Sequence, residues 1–194
     1  MATVLLNRTK KTPTNREILF SNIMGMLKAR SYSDIKTMEL PSAPTGETPA
    51  FVATGKMPLK QTFVLYVVDS GKFNVNLAEI YLGAIRKNNA QKGIIIYKES
   101  ITGFAKRVLE TSSLDVEIFS SKSLQVNITK HKLQPRSFRR ISAAEKEEFD
   151  RLKWTQFLPK LLVSDPIARY YDFKKNDVIE IVRRNGDKHF RLVV

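Results

Sequence analysis

Residues able to do chemistry are sparse in this chain, and their spacing excludes more than it suggests. There are two histidines and no cysteine among 194 residues. Neither His131 nor His189 falls in a His-x-x-x-His or His-Glu-x-x-His pattern, which would set two metal ligands on one helix face. Without thiols there is no disulfide framework and no Cys-ligated zinc or iron–sulfur site. The carboxylates lack calcium-loop spacing. The eight glycines are scattered and form neither a phosphate loop nor a dinucleotide fingerprint. Two acid-x-lysine triplets, Asp34-Ile35-Lys36 and Asp172-Phe173-Lys174, have the form of the carboxylate–lysine pairs of metal-dependent nucleases. Neither lies on a segment that reads as a central strand, so chance explains them better than catalysis. Asp165 has the one special local setting. Pro166 follows it, and Asp before Pro reads as a helix N-cap with Pro in the first turn, not as a general acid. No catalytic residue, metal, cofactor or small-molecule substrate is expected.

The elements follow from capping and periodicity. Thr14 and Glu17 have capping-box spacing. Leu19, Phe20, Ile23, Met24 and Leu27 then recur at helical period, which predicts a helix from 15 to about 30. Residues 2–11 read as unstructured and 41–49 as a loop. Residues 62–69 predict a buried strand, Leu77 to Ile85 a helix, and 93–97 a strand. After Ser100, residues Ile101, Phe104, Ala105, Val108 and Leu109 predict a third helix, and 116–119 a further strand. This alternation predicts a parallel α/β layer. Residues 126–128 and 132–133 read as short strands and 137–141 as a basic loop. Ser142 and Glu145 form a second capping box, opening a helix to about 152. Asp165-Pro166 opens a short helix ending near Tyr171. Residues 178–183 and 189–193 flank the hairpin signal Asn185-Gly186. The fold class is therefore α+β: an N-terminal α/β layered domain over 1–137, then a small C-terminal α+β domain with a mixed sheet and hairpin over 138–194.

Charge points to a polyanionic partner. The net charge is +14. Residues 1–143 hold 22 Lys and Arg against 10 Asp and Glu, whereas 144–194 hold 11 against 9. A basic excess of this size on one domain suits nucleic acid. No apolar run reaches the roughly 20 residues needed to span a bilayer. The basic start is not followed by the apolar stretch of a secretory signal, so an intracellular protein is expected.

Four blocks carry a specific resemblance. Leu158-Pro159, then Asp165-Pro166-Ile167-Ala168-Arg169-Tyr170, then Val178-Ile179-Glu180-Ile181-Val182-Arg183, with Phe190-Arg191-Leu192-Val193 closing the chain, form the longest. Asn127-Ile128-Thr129-Lys130-His131-Lys132-Leu133-Gln134-Pro135 is the second. Ile94 to Tyr97 followed by Ile101-Thr102-Gly103-Phe104-Ala105-Lys106 is the third, and the first helix with Arg30-Ser31-Tyr32 the fourth. Together they resemble the fifth subunit of eukaryotic-type DNA-directed RNA polymerases, a family that extends to the archaeal enzymes. Two glycines of the family pattern are here Asp172 and Asn176, residue types that tolerate a left-handed backbone. Archaeal members have only the C-terminal part, so the long N-terminal domain points to a eukaryotic-type source, and the divergence favours a large DNA virus over a cell. The resemblance implies a non-catalytic transcription subunit whose N-terminal jaw domain meets downstream double-stranded DNA without sequence preference. Lys98, Ser100, Thr102 and Lys106 are the expected DNA-proximal residues. It implies a C-terminal domain that docks on the largest subunit, with Asp165, Pro166, Ala168, Arg169, Tyr170 and Arg191 at the interface. The other polymerase subunits are further partners, with no membrane involved. The location implied is the virion and viral factory for a viral source or the nucleus for a cellular one. The competing readings are a free-standing basic DNA-binding protein and a divergent nuclease-like protein.

Overall fold

The computed structural model describes residues 13–38, 49–58, 61–68 and 71–194. The expectations for residues 2–11 and for most of 41–49 lie outside these. The first module contains α1 (Asn15–Ala29), β1 (Ser33–Met38), β2 (Pro49–Lys56), β3 (Thr62–Val68), β4 (Lys72–Phe73), α2 (Val75–Lys87), β5 (Lys92–Tyr97), β6 (Ser100–Ile101), α3 (Gly103–Glu110) and β7 (Asp115–Ser120). The Thr14 hydroxyl accepts the Glu17 N–H, and the Glu17 carboxylate accepts the Thr14 N–H, so the anticipated capping box starts α1.

Five strands form a sheet in the order β1-β2-β3-β5-β7. The first three are antiparallel, and β3, β5 and β7 run parallel. Alternate side chains of β3 serve opposite faces. Val64, Tyr66 and Val68 pack with Leu77, Tyr81 and Leu109 of α2 and α3. Phe63 and Leu65 pack with Ile23, Met26 and Leu27 of α1. Burial on both faces is why β3 and β5 read as unbroken apolar runs. Gly93 lets α2 approach: a Cβ there would lie 2.3 Å from Ile85 Cδ1.

The second module contains β8 (Ser137–Arg140), α4 (Ala143–Arg151), β9 (Lys160–Leu161), α5 (Pro166–Tyr171), β10 (Val178–Val182) and β11 (Lys188–Val193). Its sheet order is β8-β10-β11-β9, with β9 parallel to β11 and the other pairs antiparallel. α5 packs on one face through Ala168, against Leu161, Ile179, Ile181 and Val193. The chain is thus α+β with mixed sheets, as its sequence predicts. Among the described residues no helix is long and apolar enough to cross a membrane.

Several local expectations change. Residues 126–128 and 132–133 are not strands; the chain there makes 3-10 turns at Ser121–Leu124 and Ile128–Lys130. The Asn127 side-chain oxygen accepts the Thr129 N–H at 3.0 Å and its hydroxyl at 2.6 Å, folding the backbone away from an extended path. Ser137–Arg140 is an edge strand, not a loop. Its Arg139 donates to Glu145 and Glu180, so the basic residues that suggested a loop decorate a sheet edge. Ile101 belongs to β6, and Thr102 caps α3. Ser137, beside the expected boundary, opens β8 and pairs with Val182.

Candidate nucleic-acid and assembly surfaces

The parallel strands β3, β5 and β7 end on one edge of the first sheet, where the chain turns into α2 and α3. A short parallel pairing of β4 with β6 sets Lys72 beside Ser100 and Phe73 beside Ile101. The Thr102 N–H donates to the Phe73 carbonyl at 3.0 Å, so the starts of α2 and α3 are tied together. Asn74 caps α2 by accepting the Leu77 N–H, and Thr102 caps α3 by accepting the Ala105 N–H. Neither first turn carries an acidic residue. Such turns present a partial positive charge. Lys98 and Ser100 are exposed, and Lys106 reaches Glu110 only at 3.6 Å with both side chains more than half exposed. The Ser121 hydroxyl donates to the Lys98 carbonyl at 3.1 Å, joining the turns after β5 and β7. Lys98, Ser100 and Thr102 therefore lie at the end of the sheet where β5 gives way to α3, and Lys106 lies in the first turns of that helix. The two acid-x-lysine triplets lie elsewhere. Asp34 pairs with Lys56 on the exposed edge strand, and Asp172 caps the C-terminus of α5.

A buried ionic network joins the modules, and sequence reasoning missed it. Lys92, with 2% of its side chain exposed, places Nζ 2.5 Å from Glu117, 2.7 Å from Asp172 and 3.1 Å from Asp115. Burial works against its charge, but Glu117 and Asp172 outweigh burial and hold the ammonium protonated well above the ordinary lysine value. Burial likewise opposes ionisation of Asp172, and Lys92 with Lys174 overcomes it, drawing that carboxyl down to about 2. Arg30 bridges both modules. It makes a two-pronged pair with Glu117 and donates to the carbonyls of Arg169 at 2.7 Å and Tyr170 at 3.0 Å. Desolvation lowers its affinity for the proton, Glu117 raises it, and the net shift is upward. Asp172 has φ 56° and Asn176 φ 71°, the left-handed conformation anticipated for both. The only sequence hint of the network was a lysine opening the apolar run of β5.

The expected interface residues divide into two groups. Asp165, Pro166 and Arg191 line one groove of about 680 Å³ on the second module. Asp165 Oδ1 accepts the Ile167 N–H at 2.8 Å, the N-cap its sequence context implied. Arg169 and Tyr170 point the other way, and Ala168 packs onto the second sheet. Ala168 is fully buried, and Tyr170 is buried in the α1-side core of the first module. The Arg169 guanidinium lies 4.4 Å from the Phe119 ring centroid and donates to the Ile118 carbonyl. Arg169 and Tyr170 thus join the two modules of this chain to one another, while Ala168 packs inside the second.

Comparison with known proteins fits this architecture. Residues 126–192 match the family model for the RNA polymerase Rpb5 C-terminal domain. That stretch holds all of the second sheet except the last residue of β11. The DNA-directed RNA polymerases I, II and III subunit rpabc1 of Dictyostelium discoideum is 31% identical over 124 residues, covering 61% of this chain and 63% of that protein. A putative DNA-directed RNA polymerase subunit 454R of Invertebrate iridescent virus 6 is 36% identical over 110 residues, covering 51% and 59%. The chain thus spans about three fifths of the length of these relatives, one cellular and one viral. Among solved structures, the DNA modification-dependent restriction endonuclease AspBHI aligns over 64% of this chain and 38% of its own, at TM-score 0.37 and 10% identity. So distant a likeness carries no argument about function.

Proposed function

We propose that this chain is a non-catalytic subunit of a multisubunit DNA-directed RNA polymerase. Its second module attaches it to the largest subunit, and the basic edge of its first module lies along downstream duplex DNA. The observation that carries the reading is the Rpb5 C-terminal match over residues 126–192, in a chain whose relatives carry polymerase-subunit names. Charge supports the division of labour. Most of the basic excess lies in the first module: residues 1–136 hold 20 Lys and Arg against 10 Asp and Glu, and 137–194 hold 13 against 9. The edge bearing Lys98, Ser100, Thr102 and Lys106 offers phosphate contacts only, as translocating DNA requires.

The experiment is purification through a tag on the full chain in its native cell. Large polymerase subunits are expected in the eluate, and their absence overturns the subunit reading. In the assembled enzyme, replacing Lys98 and Lys106 with Glu should reduce the salt dependence of DNA retention by a slope of about 1.8, roughly 0.9 for each lost phosphate contact. An unchanged slope removes DNA from this edge.

A further inference from the structure

We propose that the groove beside α5 seats an acidic peptide segment of a neighbouring polymerase subunit, with apolar side chains set between its carboxylates. This rests on the subunit reading above and extends it to the docking surface and the partner's chemistry. The groove, about 680 Å³, opens on the part of the second sheet that α5 leaves uncovered. Leu158, Pro159, Pro166 and the half-buried Phe138 of β8 supply the accessible apolar lining, over a floor formed by Ile167 and Ile181.

Register places the charge. His189 stands opposite Ile181 and Arg191 opposite Ile179, so both side chains share the face on which those isoleucines pack. Arg183 lies two residues beyond Ile181, on the same face, and also lines the groove. Among the described residues neither Arg183 nor Arg191 is paired with a carboxylate; the one hydrogen bond found for the Arg191 guanidinium is a 3.4 Å contact to the Lys160 carbonyl. The other charged residues are engaged. Lys188 lies 3.1 Å from Glu180, and Asp165, the lining carboxylate, caps α5.

Two unpaired guanidinium groups along an apolar trough select the occupant. A guanidinium fork binds carboxylate through two parallel hydrogen bonds. A phosphate backbone would satisfy the arginines yet gain nothing from Leu158, Pro159 and Pro166. An apolar segment without acids would bring uncharged surface against Arg183 and Arg191 and desolvate them uncompensated. An extended acidic segment with interspersed apolar residues satisfies both, side chains alternating between trough and arginine rim.

The test uses the polymerase purified through the tagged full chain. A photocrosslinking amino acid at position 189 is expected to capture one subunit, within a peptide rich in Asp or Glu and apolar residues. The same probe at position 98 serves as the control and should not capture that peptide. The paired replacement Arg183→Glu and Arg191→Glu should reduce co-purifying polymerase at least tenfold, and Arg183→Gln with Arg191→Gln by less. Both variants should melt within a few degrees of wild type, so that loss reflects binding and not folding. If the doubly acidic variant retains polymerase as well as wild type, or the position-189 probe captures a basic peptide, DNA or nothing, the groove assignment is overturned while co-purification leaves the subunit reading standing. If the wild-type chain brings down no polymerase, the underlying reading fails instead.

Discussion

Replacing Lys92 with Met tests the buried network directly. The Lys92 side chain is 2% exposed, and Met has nearly its length without its charge. The change leaves Glu117 and Asp172, 16% and 21% exposed, facing each other with their shared cation gone. Breaking a buried ion pair by removing one partner costs about 3–5 kcal/mol. The lower end applies, because Arg30 still holds Glu117 at 2.8 Å and Lys174 still holds Asp172 at 2.9 Å. At about 2–4 °C per kcal/mol for a chain of this size, a cost of about 3 kcal/mol lowers Tm by roughly 6–12 °C. Thermal and urea unfolding followed by circular dichroism read this out. Adding Asp172→Asn to the Met variant should restore part of the loss, because a neutral amide is far cheaper to bury than a carboxylate that has lost its ammonium partner, while Glu117 stays paired with Arg30. A Tm loss below about 2 °C for Lys92→Met, or a double variant no more stable than the single one, would refute the claim that this network joins the modules.

Acid should loosen the same junction. Asp172 is held at about 2 against an ordinary 3.8, and Glu145, through Arg139 and the Ser142 cap, at about 2 against 4.5. Both folded values lie below the unfolded ones, so the stabilisation is complete above pH about 4.5 and disappears as pH falls toward 2, Asp172 alone accounting for about 2 kcal/mol. Urea titrations at pH 5 and pH 2.5 measure this, and equal stability at the two values would contradict it. Gly93→Ala puts a Cβ 2.3 Å from Ile85 Cδ1 and should cost about 1–3 kcal/mol. Combining it with Ile85→Val should recover part of that in the same melt, and full tolerance of the single change would show that α2 has slack. Asp165→Ala removes the cap on the Ile167 N–H and should cost about 0.5–2 kcal/mol, with Asp165→Asn costing less. A neutral Asp165→Ala result would mean that Pro166 alone sets the start of α5.

Where residue type and backbone requirement coincide, the fold was legible. The capping residues Thr14, Ser142 and Asp165 marked helix starts because their side chains satisfy N–H groups that nothing else reaches. The apolar runs of β3 and β5 marked strands buried on both faces. β1 was not legible. Ser33–Met38 lies on a sheet edge with little apolar alternation, and its extended state depends on pairing with β2. The expected DNA-proximal residues lie near one another in the fold because they lie close together in sequence. The network around Lys92 was invisible for the opposite reason: its members come from β5, β7 and the end of α5, and no local pattern links them. The same distance effect split the expected interface residues. A six-residue helix presents two faces, and only the three-dimensional position of α1 shows which one Tyr170 uses.

The contact between Arg169 and the Ile118 carbonyl also bears on how the chain is made. β7 is an end strand of the five-stranded sheet, and an open edge is a ready template for pairing with other chains. The guanidinium that covers part of that edge is encoded in the second module. During synthesis the sheet can close on itself once β7 has emerged, but the shielding arginine follows several seconds later at about 5–20 residues per second. The first module therefore spends that interval with an adhesive border, and a chain terminated before α5 would keep that border for its whole lifetime.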